Sequence, residues 1–118
     1  MQRSITPKDD VFQQIAGYAA TTTTRYPEGK FTLAFVGYAD ESQAAAIELT
    51  YNWGVNHYAL GTGFGHIAIE VENAYHACHE VKMRGGKVTR EAGAMQHGST
   101  VIAFVEDPDG YKIELIQK

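Results

Sequence analysis

Two glutamates stand in the same local setting. Glu48 lies in Ile47-Glu48-Leu49 and Glu114 in Ile113-Glu114-Leu115, and each follows a matching apolar run, Leu33-Ala34-Phe35-Val36 in the first case and Ile102-Ala103-Phe104-Val105 in the second. The offsets, 102 − 33 = 69 and 113 − 47 = 66, differ by a change in the length of the turn inside each pair. Successive strand side chains point to opposite faces, so a glutamate between two apolar residues presents its carboxylate alone on one face. His66 sits in residues 65–71, G-H-I-A-I-E-V, whose alternation puts Ile67, Ile69 and Val71 on one face and His66, Ala68 and Glu70 on the other.

One imidazole and two carboxylates facing a common cavity suit a divalent first-row metal, such as nickel, cobalt, iron, manganese or zinc, in a mixed nitrogen and oxygen site. Such an ion is a Lewis acid that polarises vicinal oxygens of a substrate and stabilises an enediolate, while a carboxylate at its edge takes a proton from the adjacent carbon. Taken singly, either glutamate reads as a solvated strand-face residue and His66 as a satisfied polar one. The repeat-equivalent placement of the carboxylates is what favours ligation.

These residues need strands to hold them. Residues 31–37 are β-branched and aromatic, residues 46–52 alternate apolar with polar, and residues 100–106 and 111–117 flank D-P-D-G, a turn with Pro at its second position. The spacing predicts one helix over residues 73–84, with Val71, Ala74, Tyr75, Cys78, Val81 and Lys82 along one stripe and Gly85-Gly86 to stop it. With a short strand at residues 87–90, the second half reads β-α-β-β-β. The strand equivalent to that of His66 in the first half would fall at 66 − 69 = −3, and no histidine precedes His57. The first module is therefore read as truncated. Residues 1–26, with four consecutive threonines and weak periodicity, read as an atypical, poorly ordered segment. Residues 27–55 form the remainder of the first module and residues 63–118 the second.

Length and charge bound the rest. A chain of 118 residues suits one α+β domain, and a net charge of −4 argues against nucleic acid or an anionic membrane as partner. A single cysteine and no long apolar run read as an unbridged, cytoplasmic protein. His76, His79 and Glu80 have helical spacing that imitates a metal site but read as an exposed face. His57 falls in a linker over residues 56–63. Cys78 lies on the buried stripe and reads as core rather than nucleophile. Arg90, His97, Gly98, Ser99 and Thr100 flank a loop where a substrate carboxylate could be held, with plain solvation as the equal alternative. Residues 61–65, G-T-G-F-G, lead into a strand rather than a helix and so form no phosphate cradle.

The runs G-F-G-H-I-A, I-E-L-T-Y-N-W-G, T-R-E-A-G and V-E-D-P-D-G-Y-K-I-E-L closely resemble bacterial-type glyoxalase I, the lactoylglutathione lyase family of the vicinal oxygen chelate superfamily, from about Pro27 to Lys118. The resemblance implies paired β-α-β-β-β modules in a half-open barrel, and a homodimer whose active sites are shared between subunits. It implies Glu48, His66 and Glu114 as metal ligands, Glu114 as catalytic base, Asn52 as a glutathione contact, and Ni2+, or Co2+ or Zn2+, as the metal. The activity implied is isomerisation of the methylglyoxal-glutathione hemithioacetal to S-lactoylglutathione, which detoxifies methylglyoxal. The family's fourth ligand, a first-strand histidine, has no counterpart, so impaired activity is expected. Another enzyme on this fold, a thiol transferase or epimerase, or an inactive remnant, is the alternative. The mismatch between Ile5 and Pro27 is read as a shifted reading frame.

Overall fold

The computed structural model describes residues 18–118. The chain divides into two units, Met1–Ala59 and Leu60–Lys118.

In the first unit three strands, β1 (Ala19–Tyr26), β2 (Phe31–Gly37) and β3 (Ile47–Asn52), form an antiparallel sheet in the order β1-β2-β3. β1 corrects the expectation for residues 1–26. Its threonines lack an apolar alternation, yet they are β-branched and suit the extended backbone that the β2 edge pairs with, from Ala19 opposite Gly37 to Tyr26 opposite Phe31. The remainder of that expectation, including most of the proposed frame shift, falls on residues outside the described ones. Ala34, Val36 and Leu49 point to one face and are buried, while Phe35 and Glu48 oppose each other on the other.

The second unit runs β4 (Ile67–Val71), α1 (Ala74–Met83), β5 (Lys87–Ala94), β6 (Val101–Glu106) and β7 (Lys112–Gln117), the expected β-α-β-β-β order. Its sheet is ordered β4-β7-β6-β5, with β4 parallel to β7 and the other pairs antiparallel. The helix covers one face. Its buried stripe is Ala74, Ala77, Cys78 and Val81, at the three-and-four spacing of a helix face. On the sheet, Ile69, Val71, Ala103, Val105, Ile113 and Leu115 form the buried side, and the helix packs against β5, β6 and β7. Tyr75 and Lys82, placed on the stripe by sequence, sit one position off its centre and are exposed. Asn73 caps the helix by accepting the His76 amide N–H at 3.0 Å. Gly85 follows with φ 82°, the left-handed conformation that ends a helix cheaply only in glycine.

The β6–β7 turn is held from within. Asp107 is buried, and its Oδ1 accepts the amide N–H groups of Asp109 and Tyr111 at 2.9 and 2.8 Å. Gly110 donates to the Asp107 carbonyl at 3.0 Å and has φ 91°. Among the described residues no helix is long and apolar enough to cross a membrane.

Candidate metal centre and co-substrate contacts

In the second unit the sheet brings two donors together. Parallel pairing sets Ala68 beside Glu114, and His66, two residues before Ala68 on the same face, reaches that carboxylate. His66 Nε2 lies 3.1 Å from Glu114 Oε2, with the side chains 44% and 16% exposed. Phe104 stands opposite Glu114 on β6, and its ring meets the His66 imidazole edge to face at 5.3 Å between centroids. The aromatic wall limits how the imidazole can turn, while one side of the pair stays open to solvent.

The first unit carries the repeat of this arrangement. Phe35 opposes Glu48 as Phe104 opposes Glu114. Glu48, Thr50 and Asn52 share a face of β3, and Glu48 is exposed. Asn52 ends the strand, and its Nδ2 donates to the Tyr58 hydroxyl at 2.9 Å. Sequence reasoning missed Tyr58, which lies in the segment read as linker. Only the Asn52-Trp53-Gly54 turn signal could have indicated that the chain doubles back there.

Other residues singled out by sequence take structural roles. The Arg90 guanidinium donates to the carbonyls of Ile102 at 2.9 Å, Ala94 at 3.0 Å and Gly93 at 3.3 Å. Those bonds clasp the irregular β5–β6 pairing, so the Arg90 guanidinium serves as a clamp on backbone. His97 is exposed in the adjoining turn with φ 63°. His76 pairs with Glu80 at 4.0 Å and Glu80 with Arg84 at 3.2 Å along the helix surface, where the guanidinium competes with any cation for the carboxylate. Cys78 is buried, and desolvation pushes its thiol pKa up, away from nucleophilic character.

The donor chemistry at His66 and Glu114, an imidazole nitrogen and a carboxylate oxygen converging within hydrogen-bond distance, fits a borderline divalent ion. Among the described residues no three His, Cys, Asp or Glu side chains converge as a group that could hold a metal, so within this unit the donors are these two.

Comparison with known proteins gives a consistent result. Residues 17–115 match the family described as the Glyoxalase/Bleomycin resistance protein/Dioxygenase superfamily, a match that takes in β1 and begins ahead of Pro27. The lactoylglutathione lyase of Neisseria meningitidis serogroup A is 60% identical over 109 residues, covering 92% of this chain and 79% of that protein. The lactoylglutathione lyase of Escherichia coli O157:H7 is 56% identical over 118 residues, covering 100% of this chain and 84% of that protein. The crystal structure of glyoxalase I from Zea mays superposes with a TM-score of 0.87 at 46% identity, covering 92% of this chain. This chain spans 38% of the maize protein's length.

Proposed function

Because the chain belongs to the glyoxalase/bleomycin resistance protein/dioxygenase superfamily and, within it, to the lactoylglutathione lyase family, we propose that it isomerises the hemithioacetal of methylglyoxal and glutathione to S-lactoylglutathione. The observation that carries the reading is the His66–Glu114 pair, set on the open face of the second sheet.

Glu48, His66 and Glu114 would hold a divalent metal, nickel or cobalt or else zinc. When bound, that ion supplies the Lewis acidity that lowers the cost of negative charge on the substrate's two neighbouring oxygens. The Glu114 carboxylate takes the proton from the carbon bearing sulfur and returns a proton to the adjacent carbon. The hydroxyl proton passes to the neighbouring oxygen, so the former hydroxyl carbon becomes the thioester carbonyl and the former carbonyl becomes the lactoyl hydroxyl. Atoms and electrons balance within the substrate, so no oxidant or reductant is needed. A well-placed general base of this kind contributes roughly 100-fold to 10,000-fold. His66, steadied against Phe104, keeps its nitrogen toward the carboxylate, and Asn52 contacts the glutathione portion. The same reading carries a cytoplasmic homodimer with shared sites, in keeping with the two-module repeat.

The test is direct. The purified chain is stripped with chelator, then assayed for S-lactoylglutathione formation alone and after addition of Ni2+, Co2+ or Zn2+. Turnover restored by metal is expected. A folded chain that binds metal and forms no thioester overturns the reading.

A further inference from the structure

The chain after β3 turns back on itself. Val55 N–H donates to the Asn52 carbonyl at 3.1 Å, and Gly54, at the third position of that turn, has φ 83°, which a residue with a Cβ adopts only with strain. The end of the strand is pinned on either side of the turn. Trp53 Nε1 donates to Thr32 Oγ1 at 2.8 Å, and Trp53 N–H donates to the Lys30 carbonyl at 2.9 Å. The returning chain delivers the Tyr58 hydroxyl to Asn52 Nδ2 at 2.9 Å.

A primary amide has a donor end and an acceptor end on one planar carbon, and fixing one end fixes the direction of the other. With Nδ2 given to Tyr58, the Oδ1 of Asn52 is turned away from Tyr58. Phe31 stands opposite Asn52 in the sheet, and Tyr26 stacks on Phe31 with centroids 4.7 Å apart. Asn52 is therefore presented as a fixed acceptor beside an aromatic surface.

Resting on the glutathione reading of Asn52 above, we propose that Tyr58 is a positioning residue for co-substrate recognition: it holds the Asn52 amide in the orientation that accepts an N–H of the peptide-like thiol. Tyr58 acts through Asn52 and not on the reacting carbons. Its loss weakens binding and leaves the chemical step in place, the pattern of lost uniform binding.

The experiment uses the intact chain, and Trp53, its one tryptophan, is a built-in reporter next to Asn52. An S-alkylglutathione is titrated against Trp53 fluorescence, and hemithioacetal kinetics are measured with saturating metal, for wild type, Tyr58→Phe, Asn52→Ala and the double variant. Removing one hydrogen bond that orients a ligand contact should raise Kd and KM by about 5-fold to 20-fold, with kcat within about twofold. The double variant should bind no more weakly than Asn52→Ala, because the two residues act as a unit. Wild-type Kd and KM in Tyr58→Phe, or additive losses in the double variant, overturn the proposal. A nuclear Overhauser contact between the Asn52 amide protons and the Tyr58 ring in the wild type tests the orientation without any variant, and its absence also overturns it. A wild type that neither binds nor turns over identifies failure of the glutathione reading itself, whereas a wild type that does both and ignores Tyr58→Phe identifies failure of the positioning role alone.

Discussion

His66 Nε2 lies 3.1 Å from Glu114 Oε2, across the parallel register of β4 and β7. The backbone brings the two donors together, since the residue pairs on either side are fixed by ladder hydrogen bonds and both side chains leave the same face. His66→Ala should therefore weaken Ni2+ binding by more than the roughly 10-fold to 100-fold that losing a mere supporting contact costs. Titration calorimetry on the purified chain measures this, and an unchanged Kd would remove His66 from the ligand set.

Glu48 and Glu114 are repeat partners with different proposed duties. Both Glu→Gln variants should weaken metal binding, since each removes an anionic donor. At saturating metal they should separate: Glu114→Gln loses about 100-fold to 10,000-fold in kcat with the base gone, and Glu48→Gln loses markedly less. Equal kcat losses would contradict the assignment of Glu114 as the base.

Much of this was legible in the sequence, for a physical reason. Leu33-Ala34-Phe35-Val36 and Ile102-Ala103-Phe104-Val105 alternate toward one buried face, and each pairs with an I-E-L run in equivalent register. A strand pair with one covered face leaves a strong period-two signal, and the duplication prints that signal twice. The strand at Ala19–Tyr26 left none, because Thr22, Thr23 and Thr24 pair through backbone with β2 and the run of threonines has no apolar alternation. On the helix, Ala77 is buried and Tyr75, which the spacing puts on the stripe, is exposed, since a small residue fits against the sheet where a phenol ring does not. The Tyr58 contact depends on a turn direction set by Gly54, and no periodicity encodes which side chain a returning loop delivers. The three carbonyls gathered around the Arg90 guanidinium come from an irregular pairing of β5 that no sequence spacing encodes.

The turn between β6 and β7 carries a stability prediction. Asp107 is buried, and its Oδ1 accepts the amide N–H groups of Asp109 and Tyr111 inside the turn. Asp107→Ala should cost about 1–3 kcal/mol, the penalty for leaving buried donors unsatisfied. Asp107→Asn, which keeps an oxygen acceptor, should cost less. Urea unfolding with unchanged slope and a lowered midpoint reads this as stability rather than a change in compactness.

Cys78 gives a prediction about pH. Desolvation within the helix-sheet interface is the main cause that raises its thiol pKa, with the Glu91 carboxylate adding to it against the Ala92 backbone N–H and Lys82. The native state therefore keeps its proton at pH values where the unfolded chain has begun to lose it. By linkage the native state binds more protons there, so stability is fully present below the ordinary thiol pKa and falls as pH climbs past it. Between about pH 8 and pH 10, where thiols ordinarily titrate, the wild type should lose more stability than Cys78→Ala, measured by urea midpoints at each pH. The same burial blocks the nucleophile. Reaction with a disulfide reagent near neutral pH should be at least about 1,000-fold slower in the folded chain than in urea, because it must await an opening that few molecules populate. Rapid labelling of the folded chain would mean that the α1 interface opens far more readily than its buried contacts indicate.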